Sequence, residues 1–209
     1  MKKLLSLMLV MVLGISVLTG CSGGDSDSGS NTYELALITD VGTIDDKSFN
    51  QGAWEGLVKY ATENEITHKY YQPSEKTTDA YLSSIDLAVK AGAKVVVTPG
   101  YLFEPAVFKA QDTYPDVKFI LLDGTPQDGT YTEFKLNENV YSVFYAEEQA
   151  GFLAGYAAVK EGYTKLGFMG GMAVPAVVRF GYGFVQGAEY AAGEMGITGL
   201  DVKYNYTGD

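Results

Sequence analysis

From residue 33 onward, short apolar runs alternate with longer stretches of helical period, and that alternation leaves few folds open. YELALIT (33–39), ITHKYY (66–71), AKVVVT (93–98), KFILLD (118–123), NVYSVF (139–144), KLGFM (165–169) and VKYNY (202–206) have the length and β-branched content of strands. Between them, Ala53, Trp54, Leu57, Val58 and Ala61 form one apolar stripe, and Leu82, Ile85, Ala88 and Val89 another. Helices are predicted from Ser48, over 79–91, 104–114 and 146–160, and near 176–195. Ser48 and Gln51 have the S-x-x-Q spacing of a capping box, and Gly92 stands where a helix stop is expected. Nearly continuous apolar strands between amphipathic helices specify an α/β fold, a parallel sheet flanked by helices on both faces.

The first residues do not belong to that pattern. Met1-Lys2-Lys3 is a short basic start, and Leu4 to Val17 is almost unbrokenly apolar. A basic start, an apolar run and small residues before a cut describe a signal peptide over 1–20. The run falls short of the roughly 20 apolar residues a spanning helix needs. Leu18-Thr19-Gly20-Cys21 resembles the lipobox of bacterial lipoproteins, so Cys21 is the expected lipidation site and the new N-terminus. It is the only cysteine, which excludes a disulfide within the chain. Residues 21–32 then read as the lipidated Cys and a flexible Ser/Gly tether. Loss of Lys2 and Lys3 with the signal moves the formal charge from −11 to −13. Such an acidic chain is a poor partner for nucleic acid.

In an open α/β sheet, ligands bind beyond the carboxyl ends of the strands. Those ends carry Asp40, Thr98-Pro99-Gly100-Tyr101, Asp123-Gly124 and Gly170-Gly171. The turn after Asp40 adds Asp45 and Asp46. Four carboxylates would repel a phosphate or carboxylate ligand, although a helix N-terminus lies beside them. Ionised Asp only accepts hydrogen bonds, so the rim suits a neutral molecule rich in hydroxyl or NH groups. Phe49, in the first turn of its helix and at the edge of the apolar stripe, could stack on a flat ligand. Each residue also has a plainer reading: Asp45 and Asp46 as helix caps, Asp40 and Asp123 as turn formers, Phe49 and Trp54 as core.

Signs of catalysis are poor. His68, the sole histidine, lies in a polar strand start and is expected at the surface. No G-x-S-x-G surrounds a serine, no G-x-x-x-x-G-K-[ST] loop occurs, and no His/Cys cluster offers metal ligands. No cofactor, no metal and no enzymatic activity are expected.

The stretch TDVGTIDDKSFNQGAWEGL, from Thr39 to Leu57, resembles the signature of the basic membrane protein family, the purine nucleoside-binding lipoproteins of bacterial ABC transporters. GAKVVVTPGYLF, KFILLDG, NVYSVFYAEEQAGFLAGYAA and KLGFMGGMAVPAVVRFGYGFVQGAEYA agree with it, as do the lipobox and tether. The resemblance covers nearly the whole chain beyond the signal. It implies a type I periplasmic-binding fold, two α/β lobes joined by a hinge. Residues 33–145 would form the first lobe, and 146–209 the crossover and a partial second lobe. It makes Asp40 and Phe49 ligand contacts, Phe49 being one half of an aromatic sandwich around the base, and Asp123 a polar contact. Asn50 and Tyr101 would be neighbours. The second stacking aromatic and the groups that grip the ribose would lie beyond Asp209. The expected role is capture of purine nucleosides at the extracytoplasmic face of the cell membrane, with an ABC permease as partner and the lipid as anchor. Two other readings stand beside it: a nucleoside-sensing surface lipoprotein, and a metal-dependent nucleoside hydrolase built on Asp40, Asp45 and Asp46.

Overall fold

The computed structural model describes residues 32–208. The signal, Cys21 and the tether up to residue 31 lie outside the described residues. Each predicted strand forms: β1 (Leu35–Ile38), β2 (His68–Tyr71), β3 (Val95–Pro99), β4 (Lys118–Leu122), β5 (Val140–Val143), β6 (Lys165–Gly170) and β7 (Asp201–Tyr206). The helices are α1 (Phe49–Glu63), α2 (Thr78–Lys90), α3 (Glu104–Thr113), α4 (Glu147–Lys160) and α5 (Pro175–Met195). A 3-10 turn, Tyr101–Phe103, leads into α3.

Five strands form one parallel sheet in the order β2-β1-β3-β4-β5, and β6 pairs with β7, also parallel. Successive side chains of a strand point to opposite faces, so each strand feeds two separate packing layers. On one face Ala36, Ile38, Val96, Phe119, Leu121 and Val140 meet Tyr81 and Ile85 of α2, Phe103 of the 3-10 turn, and Ala106 and Val107 of α3. This is the larger core; full burial of a side chain such as Phe119 or Phe103 stabilises by roughly 1.5–3 kcal/mol. On the other face Leu35 and Leu37 lie under Leu57 and Ala61 of α1, with Trp54 and Val97 at its margin. Trp54 is half-buried and packs against Tyr70 and His68, which is itself half-buried rather than a free surface residue.

Helix stops and starts follow local chemistry. Gly92, at φ 97°, takes the left-handed conformation that ends α2, and its N–H donates to Val89 O. Thr77 caps the start of α2 by accepting from Ala80 N at 3.2 Å. The capping box expected at α1 does not form. The Ser48 side chain makes no cap bond; Asp46 Oδ1 accepts from Ser48 N and Gln51 N, while Gln51 Oε1 accepts from Lys47 N. A carboxylate reaches two amides at once, which one hydroxyl cannot.

The pair α4–α5 is built differently. Gly151 and Gly155 of α4 face Gly183 and Gly187 of α5, and a Cβ at Gly155 would stand 1.9 Å from Phe184 O. Only glycine lets the two backbones come this close. Behind them Val159, Ala188, Ala191 and Ala192 make a small core with Leu166 and Val202.

Candidate functional site

The carboxyl ends of β1, β3, β4 and β5 share one rim, and the candidate site residues gather there. Asp40 lies two residues past the end of β1. Its Oδ1 accepts from Gly42 N at 2.6 Å and from Asn50 Nδ2 at 2.7 Å, and its own N–H donates to Asn50 Oδ1. The same Asn50 amide donates to Asp46 Oδ2 at 3.1 Å. Asn50 is buried, so a neutral amide holds two carboxylates together where they would otherwise repel. Burial pushes the Asp46 carboxyl up, but the amides of Ser48 and Gln51 and the Asn50 side chain outweigh it and hold it below the usual range. Asp45 is turned away and accepts from Thr43 Oγ1.

Beside this network the Phe49 ring is 39% exposed. It meets Tyr145 edge-on, ring centroids 6.2 Å apart, and passes over the end of β3, where a Cβ on Gly100 would lie 3.9 Å from Phe49 Cε1. Gly100 adopts φ 108°, which lets the chain turn sharply into Tyr101. Thus the ring stands at the same rim as Asp40, one residue from the Asn50 that binds it.

Asp123 directly follows β4 with φ 56° and donates its N–H to Val143 O at 2.7 Å. Its carboxylate lies 3.5 Å from Arg179, whose Nε donates to Glu147 Oε2 at 2.6 Å. One guanidinium therefore serves two carboxylates drawn from β4 and the start of α4. Burial and the charge of Glu147 raise the Asp123 carboxyl above its usual range, with Arg179 opposing; Arg179 in turn holds Glu147 low. Asp123, Arg179 and Tyr101 line a cavity of 190 Å³ together with Tyr131, Phe134 and Phe144. Glu104 closes its floor by accepting from Thr125 N and Gln127 Nε2.

The structure thus brings Tyr101 and Asp123 to one cavity, and Asp40, Phe49 and Asn50 to the neighbouring stretch of the rim. Three further residues belong to the site. Tyr81 is 2% exposed, its hydroxyl has no hydrogen-bond partner among the described residues, and burial, with the charges of Asp40 and Tyr101 adding, pushes it up to about 12. Burial, then Asp123 and Glu147, raises the Tyr145 hydroxyl. Arg179 is the only arginine in the chain, a compositional signal sufficient to single it out. Phe180, its neighbour, turns instead to a hollow with Phe168 and Phe184. Among the described residues no three His, Cys, Asp or Glu side chains converge as metal ligands, so Asp40, Asp45 and Asp46 do not form a cluster of that kind.

Residues 33–206 match the family model described as ABC transporter substrate-binding protein PnrA-like. This chain belongs to that family. It is 29% identical over 212 residues to the ABC transporter nucleoside-binding protein BmpA of Lactococcus lactis, covering 97% of this chain and 57% of that protein. It is 32% identical over 193 residues to Basic membrane protein A of Borreliella burgdorferi, covering 92% of this chain and 54% of that one. The chain therefore spans about half the length of the curated relatives it matches. An ABC transporter system solute-binding protein from Aeropyrum pernix K1 superposes with a TM-score of 0.68 at 25% identity, over 84% of this chain and 48% of that one. The periplasmic ribose ABC transporter of Conexibacter woesei shares the fold at 19% identity and a TM-score of 0.57. The fold is of the type I periplasmic-binding class, with a parallel sheet flanked by helices. No helix among the described residues is long and apolar enough to cross a membrane.

Proposed function

We propose that this chain captures purine nucleosides outside the cell and hands them to an ABC permease, anchored to the cell membrane through a lipid on Cys21. The first lobe would run over 33–145, with the crossover and part of the second lobe over 146–209. The observation that carries the reading is the half-exposed Phe49 ring set one residue from an amide-bridged pair of carboxylates. A flat base stacks on the ring, while Asp40 and Asp123 accept from NH and hydroxyl groups. Asn50 positions Asp40, and Tyr101 stands beside Asp123. Net charge of the rim disfavours nucleotides, whose phosphates would meet Asp40, Asp46, Asp123 and Glu147. The name of the Lactococcus relative points to the same ligand class. Capture of this kind makes and breaks no covalent bond, so no catalytic residue or cofactor is assigned.

Calorimetric titration of the 209-residue chain with guanosine, adenosine and inosine tests the proposal. Saturable binding of the nucleosides is expected, because the base stacks on Phe49. Phe49→Ala should weaken it by about tenfold, since stacking of a base on an aromatic ring contributes roughly 1–3 kcal/mol. Equal heats from nucleosides, their monophosphates and free ribose would remove the basis for the reading.

A further inference from the structure

Beside Asp123, two carboxylates share one guanidinium. Arg179 Nε donates to Glu147 Oε2 at 2.6 Å, whereas its Nη2 lies 3.5 Å from Asp123 Oδ1, at the outer limit of a hydrogen bond. Glu147 is 5% exposed, and its second oxygen, Oε1, has no partner among the described residues. One positive charge facing two negative ones leaves acceptors in excess, and a buried acceptor without a donor carries a desolvation cost. A neutral ligand edge that brings N–H groups removes that cost, and an anionic one adds to it.

Arg179 also has donors to spare. A guanidinium carries five N–H groups, and Arg179 uses two of them among the described residues. Its Cζ sits 6.0 Å from the centre of the Phe144 ring, which supports the guanidinium from one side. Arg179 and Asp123 both line the 190 Å³ cavity, so its wall offers a donor and an acceptor side by side. Tyr145 ties this wall to the stacking ring. Its own ring meets Phe49 edge-on, and its hydroxyl feels the charges of Asp123 and Glu147. A base lying on Phe49 would thus turn one edge toward Asp123 and Arg179.

An acceptor beside a donor discriminates among bases. Guanine carries O6, an acceptor, next to N1–H and the 2-amino group, two donors on one side. A carboxylate can accept two parallel N–H bonds, as it does from the fork of an arginine. Hypoxanthine keeps O6 and N1–H but lacks the amino group. Adenine in the same pose reverses the pattern: its 6-amino group would meet Arg179 donor to donor, and its N1 lone pair would meet the carboxylate.

We propose that Asp123 and Arg179 together read the guanine edge, Asp123 accepting from N1–H and the 2-amino group while Arg179 donates to O6, so that guanosine is the preferred nucleoside. This rests on the nucleoside reading above. Titration of the 209-residue chain with guanosine, inosine, adenosine and 2-aminopurine riboside tests it; the last keeps the amino group but has neither O6 nor N1–H. Guanosine should bind about tenfold tighter than inosine, and tighter still than adenosine and 2-aminopurine riboside, because each missing bond leaves a charged group unpaired. Arg179→Met combined with Glu147→Gln removes the donor without stranding a buried charge. That double variant should lose about tenfold in affinity for guanosine and inosine and none for adenosine. The ligand series on the unaltered chain reads the same edge even if the double variant does not fold. Equal affinity for guanosine, inosine and adenosine overturns the inference and leaves nucleoside capture standing. So does a folded double variant that keeps its preference for guanosine over adenosine. No saturable binding of any of the four overturns both.

Discussion

The regions around the two sheets reach stability by opposite means. Around β1–β5, large side chains fill the space between sheet and helices: Tyr81, Phe103, Phe119, Leu37, Ile38, Ile85 and Leu121 are all fully buried. Around β6 and β7 the fully buried apolar residues are Val159, Ala188 and Ala191, and the tightest contact is glycine against backbone. The first region depends on volume; the second depends on the absence of it. A large residue removed from one and a single methyl added to the other should therefore be comparable injuries.

The largest effect belongs to Phe103→Ala. Phe103 is wholly buried and packs on Tyr81 with ring centroids 4.4 Å apart. Truncation of such a Phe costs about 3–5 kcal/mol, and the loss should appear as a fall in the main thermal or denaturant transition. Next comes Gly155→Ala. Its methyl would collide with Phe184 O, a backbone atom that cannot rotate aside, so α4 and α5 must part. A cost near the upper end of overpacking, about 3 kcal/mol, is expected. Hydrogen exchange should show lost protection confined to 147–206, with 33–143 unchanged. If both substitutions shifted one common transition, the contrast between the two regions would be wrong.

Much of this contrast was legible in the sequence, and its limits are physical. Every strand and helix from β1 to β7 falls within a few residues of its predicted span, because apolar runs between amphipathic stretches have few other ways to bury themselves. The capping of α1 was not legible. S-x-x-Q is a local pattern, and Asp46 won because its two oxygens reach more amides than Ser48 can. Asp40, Phe49, Asn50, Tyr101 and Asp123 do gather at the rim, since strand order in a doubly wound sheet fixes which ends meet. Tyr81, Tyr145 and Glu147 escaped, because each comes to the rim from a helix or loop distant in sequence. The glycines of α4 and α5 spell GxxxG on both helices, but their mutual contact is a tertiary fact.

A smaller effect sharpens the boundary between structure and site. Asp46→Ala removes the cap of α1 and one of the two carboxylates on Asn50. Loss of a helix cap costs about 1 kcal/mol, and the chain should lose that much in denaturant titration. The Asn50–Asp40 bond should survive, so any nucleoside affinity should change less than for Phe49→Ala. A larger loss of affinity than of stability would make Asp46 a ligand contact rather than a cap.

The smallest predicted change is at Tyr81, where both readings of the first region meet. Its ring is part of the packed core, but its hydroxyl, near Asp40, is buried without a partner among the described residues. An orphaned polar group carries a desolvation cost of about 1–3 kcal/mol with nothing to offset it. Tyr81→Phe keeps the ring and its contact with Phe103 while removing that cost. Thermal unfolding should therefore stay level or rise, by up to about 1 kcal/mol, whereas Tyr81→Ala should behave like Phe103→Ala. Were Tyr81→Phe to destabilise the chain without ligand, the hydroxyl would have a partner in the folded protein, and the core would extend to the rim. If it left stability level but weakened nucleoside binding, the same hydroxyl would be reserved for the ligand, with Asp40 holding it ready.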